Sequence, residues 1–247
     1  MKGDDSEIAA RGTTAQGATV EISLRRIAYA LGAAIAVVSV AGLIAAMGPF
    51  LFGADPDRHS VELFDLGSEG NLPSWFSSSM LLLNAVLAAL IAGVALRRQA
   101  PFGARWAVIA FLMLYISADE TIGIHEEINA RLRFFENVSG IFFYAWVVPA
   151  GFVVLALTIW YWPLVRSLPA PARQLTWAAA GSYVGGALIV ELGLGQWTSV
   201  YGYGNIGWGL INGLQEIGEM AGLGLYLMAL LHLIAGPSPV LRVSFGK

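Results

Sequence analysis

The sequence contains no cysteine, which excludes disulfides and thiolate metal sites and leaves the redox compartment undecided. Charge is also scarce. Asp, Glu, Lys and Arg make up 13% of the 247 residues, about half of the ~25% usual in a soluble domain. Histidine occurs three times. That is too few for the His-x-x-His-His boxes of membrane desaturases and hydroxylases. It also fails the three-His zinc site of membrane ceramidase-like hydrolases, because only one His lies within a cluster of acids. There is no Walker, Rossmann or haem-attachment motif, and no pair of transmembrane His for a b-type haem. The Gly-x-Ser motif with a facing His that rhomboid-type proteolysis needs is missing too. No apolar core with a small-residue cleavage site precedes the first long apolar segment, so the N-terminus reads as retained. No nucleic-acid partner is expected.

What is present is apolar. Hydrophobic residues are 57% of the chain and the mean hydropathy is +0.66. A membrane span needs roughly 20 residues, and six segments reach that length: 26–52, 76–96, 104–122, 139–162, 174–195 and 206–235. The fold class expected is an all-α integral membrane protein, a bundle of six transmembrane helices. Residues 1–25 form a polar tail, 26–235 the transmembrane domain and 236–247 a short C-terminal tail.

Orientation follows from the Lys and Arg of the connecting loops. Lys2, Arg11, Arg25, Arg26, Arg97, Arg98, Arg105, Arg166, Arg173, Arg242 and Lys247 fall on one side, and Arg58, Arg131 and Arg133 on the other. Eleven against three puts both termini in the cytoplasm. The retained N-terminus and the alanine-glycine-rich composition point to a multi-pass protein of a bacterial inner membrane. The outer loops then have distinct characters. Residues 53–75 are acidic and carry His59, 119–138 carry a charged motif and an amphipathic tail, and 195–208 are glycine and aromatic without charge. Trp197, Tyr201, Tyr203 and Trp208 suit an interfacial aromatic belt, and Trp160 to Trp162 suit one on the inner side.

The charged motif is Ser117-Ala-Asp-Glu-Thr-Ile-Gly-Ile-His-Glu-Glu127, which follows an apolar helix. Acids at such a position are costly unless something compensates them. In a regular helix Asp119 and Glu126 share one face, Glu120 and Glu127 a second, and His125 points elsewhere unless Gly123 loosens the helix. Glu191, near the outer end of the fifth span, and the stripe Asn212, Glu216 and Glu219 on the sixth lie at the same membrane face. No Lys or Arg lies in the outer half of the last two spans to pair with them.

Carboxylates outnumbering cations favour a bound divalent metal or protonated acids, and oxygen ligands with one imidazole suit iron, manganese or zinc. The expected metal ligands are Asp119, His125, Glu126, Glu191, Glu216 and Glu219, with Glu120 and Glu126 as catalytic carboxylates. Bundle-core carboxylate centres are built this way, although their repeated Glu-x-x-His pair is absent here. The function expected is that of a metal-binding membrane enzyme, a hydrolase or oxidoreductase acting on a lipid-like or small periplasmic substrate. The alternatives are an accessory subunit whose acids meet a protein partner in the bilayer, and a proton- or cation-coupled transporter.

Overall fold

The computed structural model describes residues 19–52, 58–135 and 138–244. Helices dominate: α1 (Leu24–Phe52), α2 (Arg58–Phe64), α3 (Leu72–Arg97), α4 (Gly103–Ile122), α5 (Ile124–Phe135), α6 (Val147–Ser167), α7 (Ala170–Val184), α8 (Glu191–Tyr201) and α9 (Ile206–Ala235). A π-helical stretch, Gly185–Val190, joins α7 to α8 without a break in direction of the chain, so the pair forms one apolar rod. Among the described residues five helical segments are long and apolar enough to cross a membrane, and a sixth is added if α4 and α5 count as one span bent by 70°. Large apolar side chains such as Phe111, Phe152, Ile159 and Ile189 face outward around the bundle. A soluble monomer does not carry so broad an apolar surface, whereas lipid accommodates it.

Each of the six apolar segments of the sequence falls on a helix, with two shifts. The fourth is Val147–Ser167 rather than 139–162, because a single 3₁₀ turn and a bend occupy the stretch ahead of it. The fifth continues to Tyr201, well past 195, so most of the stretch read as the loop 195–208 is helical and the true turn is residues 202–205. Glycine-rich sequence misled here because burial in a bundle outweighs the intrinsic helix cost of glycine. The acidic stretch 53–75 also contains α2. Asp55 and Asp57 and the side chains of Arg58 and His59 lie outside the described residues, as do Lys2, Arg11 and Lys247.

The two polar tails contribute a strand each. β1 (Thr19–Ser23) pairs antiparallel with β2 (Val240–Ser244), Thr19 opposite Ser244 and Ser23 opposite Val240. An Arg242–Glu21 ion pair of 2.8 Å crosses this ribbon. The ribbon joins the chain just before α1 to the chain just after α9, so both ends return to one end of the bundle.

Packing is close where side chains are small. Ala88, Ala92, Ala172, Ala179, Ala229 and Leu230 form a core with Trp106 and Tyr226. At Gly222 a Cβ would lie 2.7 Å from the Tyr183 backbone nitrogen and 3.0 Å from the Ala179 carbonyl oxygen, so only glycine lets α7 and α9 touch backbone to backbone there. The Ser182 hydroxyl donates to the Gly218 carbonyl at 2.6 Å across the same seam. Between α3 and α4 the Ser78 hydroxyl donates to the Ser117 carbonyl (2.8 Å) and the Ser117 hydroxyl to the Ser78 carbonyl (2.9 Å). Those bonds fix the register of α4 immediately before Asp119.

Candidate metal centre

A cavity of about 310 Å³ lies at the end of the bundle opposite the ribbon. Its walls come from the loop before α3, the α4–α5 break, the residues before α6, the π-helical segment with α8, and the first half of α9. Seven carboxylates line it: Glu69, Asp119, Glu120, Glu126, Glu191, Glu216 and Glu219. One imidazole, His125, joins them, and none of the lining residues is Lys or Arg. Every site residue expected from the sequence is therefore in one cavity.

The α4–α5 break builds the outer part. Gly123 takes the left-handed conformation (φ 65°, ψ 42°) and ends α4, its N–H donating to the Asp119 carbonyl. The chain turns by 70° into α5. The helix is thus not regular through Gly123, and the loosening there, the exception allowed from the sequence, brings His125 back to Asp119. The His125 backbone N–H donates to Asp119 Oδ1 at 2.8 Å, and its Nδ1 lies 3.0 Å from Asp119 Oδ2. With Nδ1–H given to the carboxylate, Nε2 keeps the lone pair a metal needs. The ring also packs against the Trp146 ring, with centroids 5.1 Å apart and planes tilted by 53°. Beyond the break, Glu127 pairs at 2.7 Å with Arg131 on the exposed side of α5 and takes no part in the cavity.

Glu69 was not among the residues expected from sequence, and its local order explains its position. Asp65 accepts from the Gly67 N–H (3.0 Å) and the Ser68 hydroxyl (2.6 Å). Asn71 caps α3 in a reciprocal box with Ser74 and donates to the Asp65 carbonyl at 2.6 Å. The loop so tied places Glu69 3.9 Å from His125 Nδ1. Glu69, His125 and Glu126 each offer a ligand atom within 4.8 Å of the other two, a spacing that one metal ion could bridge. Burial pushes the Glu69 carboxyl up to about 7, and Glu126 adds to the rise while His125 opposes it. The signal for Glu69 was the Asx turn and the Asn-Leu-Pro helix start just after it; its acid was legible, its partner was not.

The inner part lies deeper. Glu216 and Glu219 are about 15 and 20 Å along α9 from its start at 1.5 Å per residue. Glu191 accepts from the Trp146 indole N–H at 3.0 Å and from the Gln215 amide at 2.7 Å, and the same amide reaches Glu219 at 3.4 Å. Gln215, Trp146, Tyr144 and Tyr183 also line the cavity and were missed, since a neutral residue in an apolar stretch carries no signal of its own. The π-helical turn ahead of Glu191 is of a kind often found at functional sites.

Fold and cavity together define a helical bundle of membrane-spanning character with an acid-lined chamber at one end. The chain belongs to the family described as "Domain of unknown function (DUF8692)", whose model matches residues 28–233, from the first turns of α1 to the last turn of α9. No curated protein and no solved structure matches it.

Proposed function

We propose that the protein is a six-span membrane metalloenzyme that holds a divalent metal ion, iron, manganese or zinc, on Glu69, His125 and Glu126. The observation that carries this reading is the cavity itself: seven carboxylates and one imidazole with no Lys or Arg among them. Such an array is self-repelling without a cation or bound protons. Three of its ligand atoms are already within the reach of one ion. Asp119, expected as a ligand, is better placed as the acceptor that fixes the His125 tautomer.

A metal ion held by Glu69, His125 and Glu126 would lower the pKa of a bound water and polarise a substrate oxygen. Glu120, on the cavity wall one residue past Asp119, would serve as the general base toward such a water. Tyr144, Trp146, Tyr203 and Trp208 line the chamber with aromatic surface that suits a lipid-like or small apolar-bodied substrate.

Six spans, rather than five, are supported by the ribbon. β1 and β2 pair, so the ends of the bundle lie on one side, and only an even number of crossings permits that. Arg25, Arg26, Arg97, Arg98, Arg105, Arg166, Arg173 and Arg242 lie toward the ribbon end and Arg131 and Arg133 toward the cavity end. The positive-inside rule then puts the ribbon in the cytoplasm and the cavity at the outer face of a bacterial inner membrane. The test is metal analysis of protein purified in mild detergent. Near-stoichiometric metal in the wild type, lost in His125→Ala and in Glu69→Gln/Glu126→Gln, supports the reading. No metal in the wild type after supplementation with iron, manganese and zinc refutes it.

A cation-coupled carrier is the second reading, favoured by one observation: the π-helical stretch Gly185–Val190 sits mid-rod directly before Glu191. Ion flux in proteoliposomes that Glu191→Gln abolishes, with no bound metal, decides for it.

A further inference from the structure

Besides its acids the chamber has an aromatic wall, formed by Tyr144, Tyr203 and Trp208. The aromatic residues of 195–208 divide between two environments. Trp197 and Tyr201 pack on each other with centroids 4.5 Å apart, and neither lines the cavity. Tyr201 is 64% exposed, as a residue of an interfacial belt should be. Tyr203 and Trp208 line the cavity, edge to face at 5.9 Å with planes 63° apart, and so form a corner of it. Phe143 packs edge-on against both Tyr144 and Tyr203, at 5.2 and 5.9 Å, and braces the two rings. An aromatic corner of this kind attracts cations by the negative faces of its rings, and quaternary ammonium groups are recognised this way.

The charge of the lining selects in the same direction. Seven carboxylates line the chamber with no Lys or Arg. One divalent ion offsets two of those seven negative charges. An anionic substrate would meet no protein cation there, whereas an ammonium group is drawn by the carboxylates and by the rings alike. Size narrows the class further. At about 310 Å³ the cavity is at the low end of small-molecule pockets, roughly 300–1,000 Å³, so it takes a head group rather than a long chain. We infer that the substrate of this chamber carries an alkylated ammonium group, held on the rings of Tyr144, Tyr203 and Trp208 and balanced in charge by the acid lining. This rests on the metalloenzyme reading and names the substrate class of that site. The ammonium group is held by ring faces and by the field of the lining, and it needs no close set of ligand atoms. Glu69, His125 and Glu126 keep their place as metal ligands and Glu120 its place as base.

The experiment titrates the full chain, purified in mild detergent and loaded with manganese, with two water-soluble probes of one shape. Choline carries the charge; dimethylbutanol, its neutral tert-butyl isostere, does not. Calorimetry should show choline binding at least about tenfold more tightly. Tyr203→Leu should weaken choline binding roughly two- to thirtyfold, the range of one cation–ring contact, and Tyr203→Phe, which keeps a ring, should bind it nearly as the wild type does. Tyr203 lies in the turn 202–205, apart from the metal ligands, so manganese retained by Tyr203→Leu shows that this variant is folded. If it is lost, the two probes compared in the wild type decide. Dodecyltrimethylammonium bears the same head on an apolar chain. Displacement of choline at lower concentration assigns the head to a membrane amphiphile, and no gain assigns it to a free amine. Equal binding of choline and dimethylbutanol, or wild-type choline affinity in folded Tyr203→Leu, overturns the ammonium assignment. No choline binding by protein that holds manganese overturns it as well and leaves the metal centre standing. Choline binding by protein that holds no metal supports the aromatic site and removes the metal reading.

Discussion

Replacing Gly123 by alanine tests how the α4–α5 break makes the outer centre. Gly123 sits at φ 65°, where a side chain costs roughly 1–2 kcal/mol. A Cβ there would stand 2.8 Å from Glu69 Oε2 and 3.3 Å from Glu126 Oε2. Ordinary van der Waals contact begins near 3.4 Å, so the Glu69 carboxylate must retreat by about 0.6 Å, against a tolerance of about 0.2 Å in metal–ligand distances. Glu69 is then lost as a ligand or held badly, a loss of at least about tenfold in affinity, or ~1.4 kcal/mol. The control is Gly236→Ala at the far end of α9. Gly236 lies at φ 64°, ψ −138°, at least as unfavourable for a side chain, but with open space where the Cβ would go. Both variants should unfold more readily by 1–2 kcal/mol. Only Gly123→Ala should lose metal affinity, read by equilibrium dialysis. Wild-type affinity in Gly123→Ala, or an equal loss in both variants, refutes the role given to the break.

Three further outcomes follow from the same geometry. Asp119→Asn keeps the shape of the side chain but not its charge, and should lower metal affinity about 10–100-fold through the loosened His125 ring, with less effect on folding than on binding. Glu69 has its carboxyl raised from 4.5 to about 7. Its contribution to stability of the metal-free protein is fully present below 4.5 and lost as pH rises through 7. Metal affinity runs the other way: below 7 a proton occupies Glu69 and must be displaced, so dialysis from pH 7.5 to 5.5 should show a steady fall, flattened in Glu69→Gln. Gly222→Ala pushes a methyl group into the Tyr183 and Ala179 backbone of α7. It should destabilise by about 1–3 kcal/mol, measured as a lower melting midpoint.

How much of this was legible in the sequence divides along a physical line. Helix positions in a membrane protein are set by the long-range requirement that backbone groups be satisfied without water. Apolar length announces that requirement, and the six segments accordingly fell on helices. The acids announced themselves as well, since a carboxylate in an apolar run has no cheap explanation. What the sequence withheld was the relation between elements. Regular 100° spacing turns His125 away and the sequence could not show whether Gly123 breaks that spacing; the left-handed turn there brings the ring back to Asp119. Glu69 stood out as one acid of an acidic loop, and only the Asp65–Asn71 tie shows that it reaches the chamber. Gln215 was silent for a deeper reason. A neutral amide is unremarkable until the fold shows that its nitrogen is engaged and its oxygen is not. In this bundle the charged residues mark where the chamber is, and the neutral residues between them determine what the charges are able to hold.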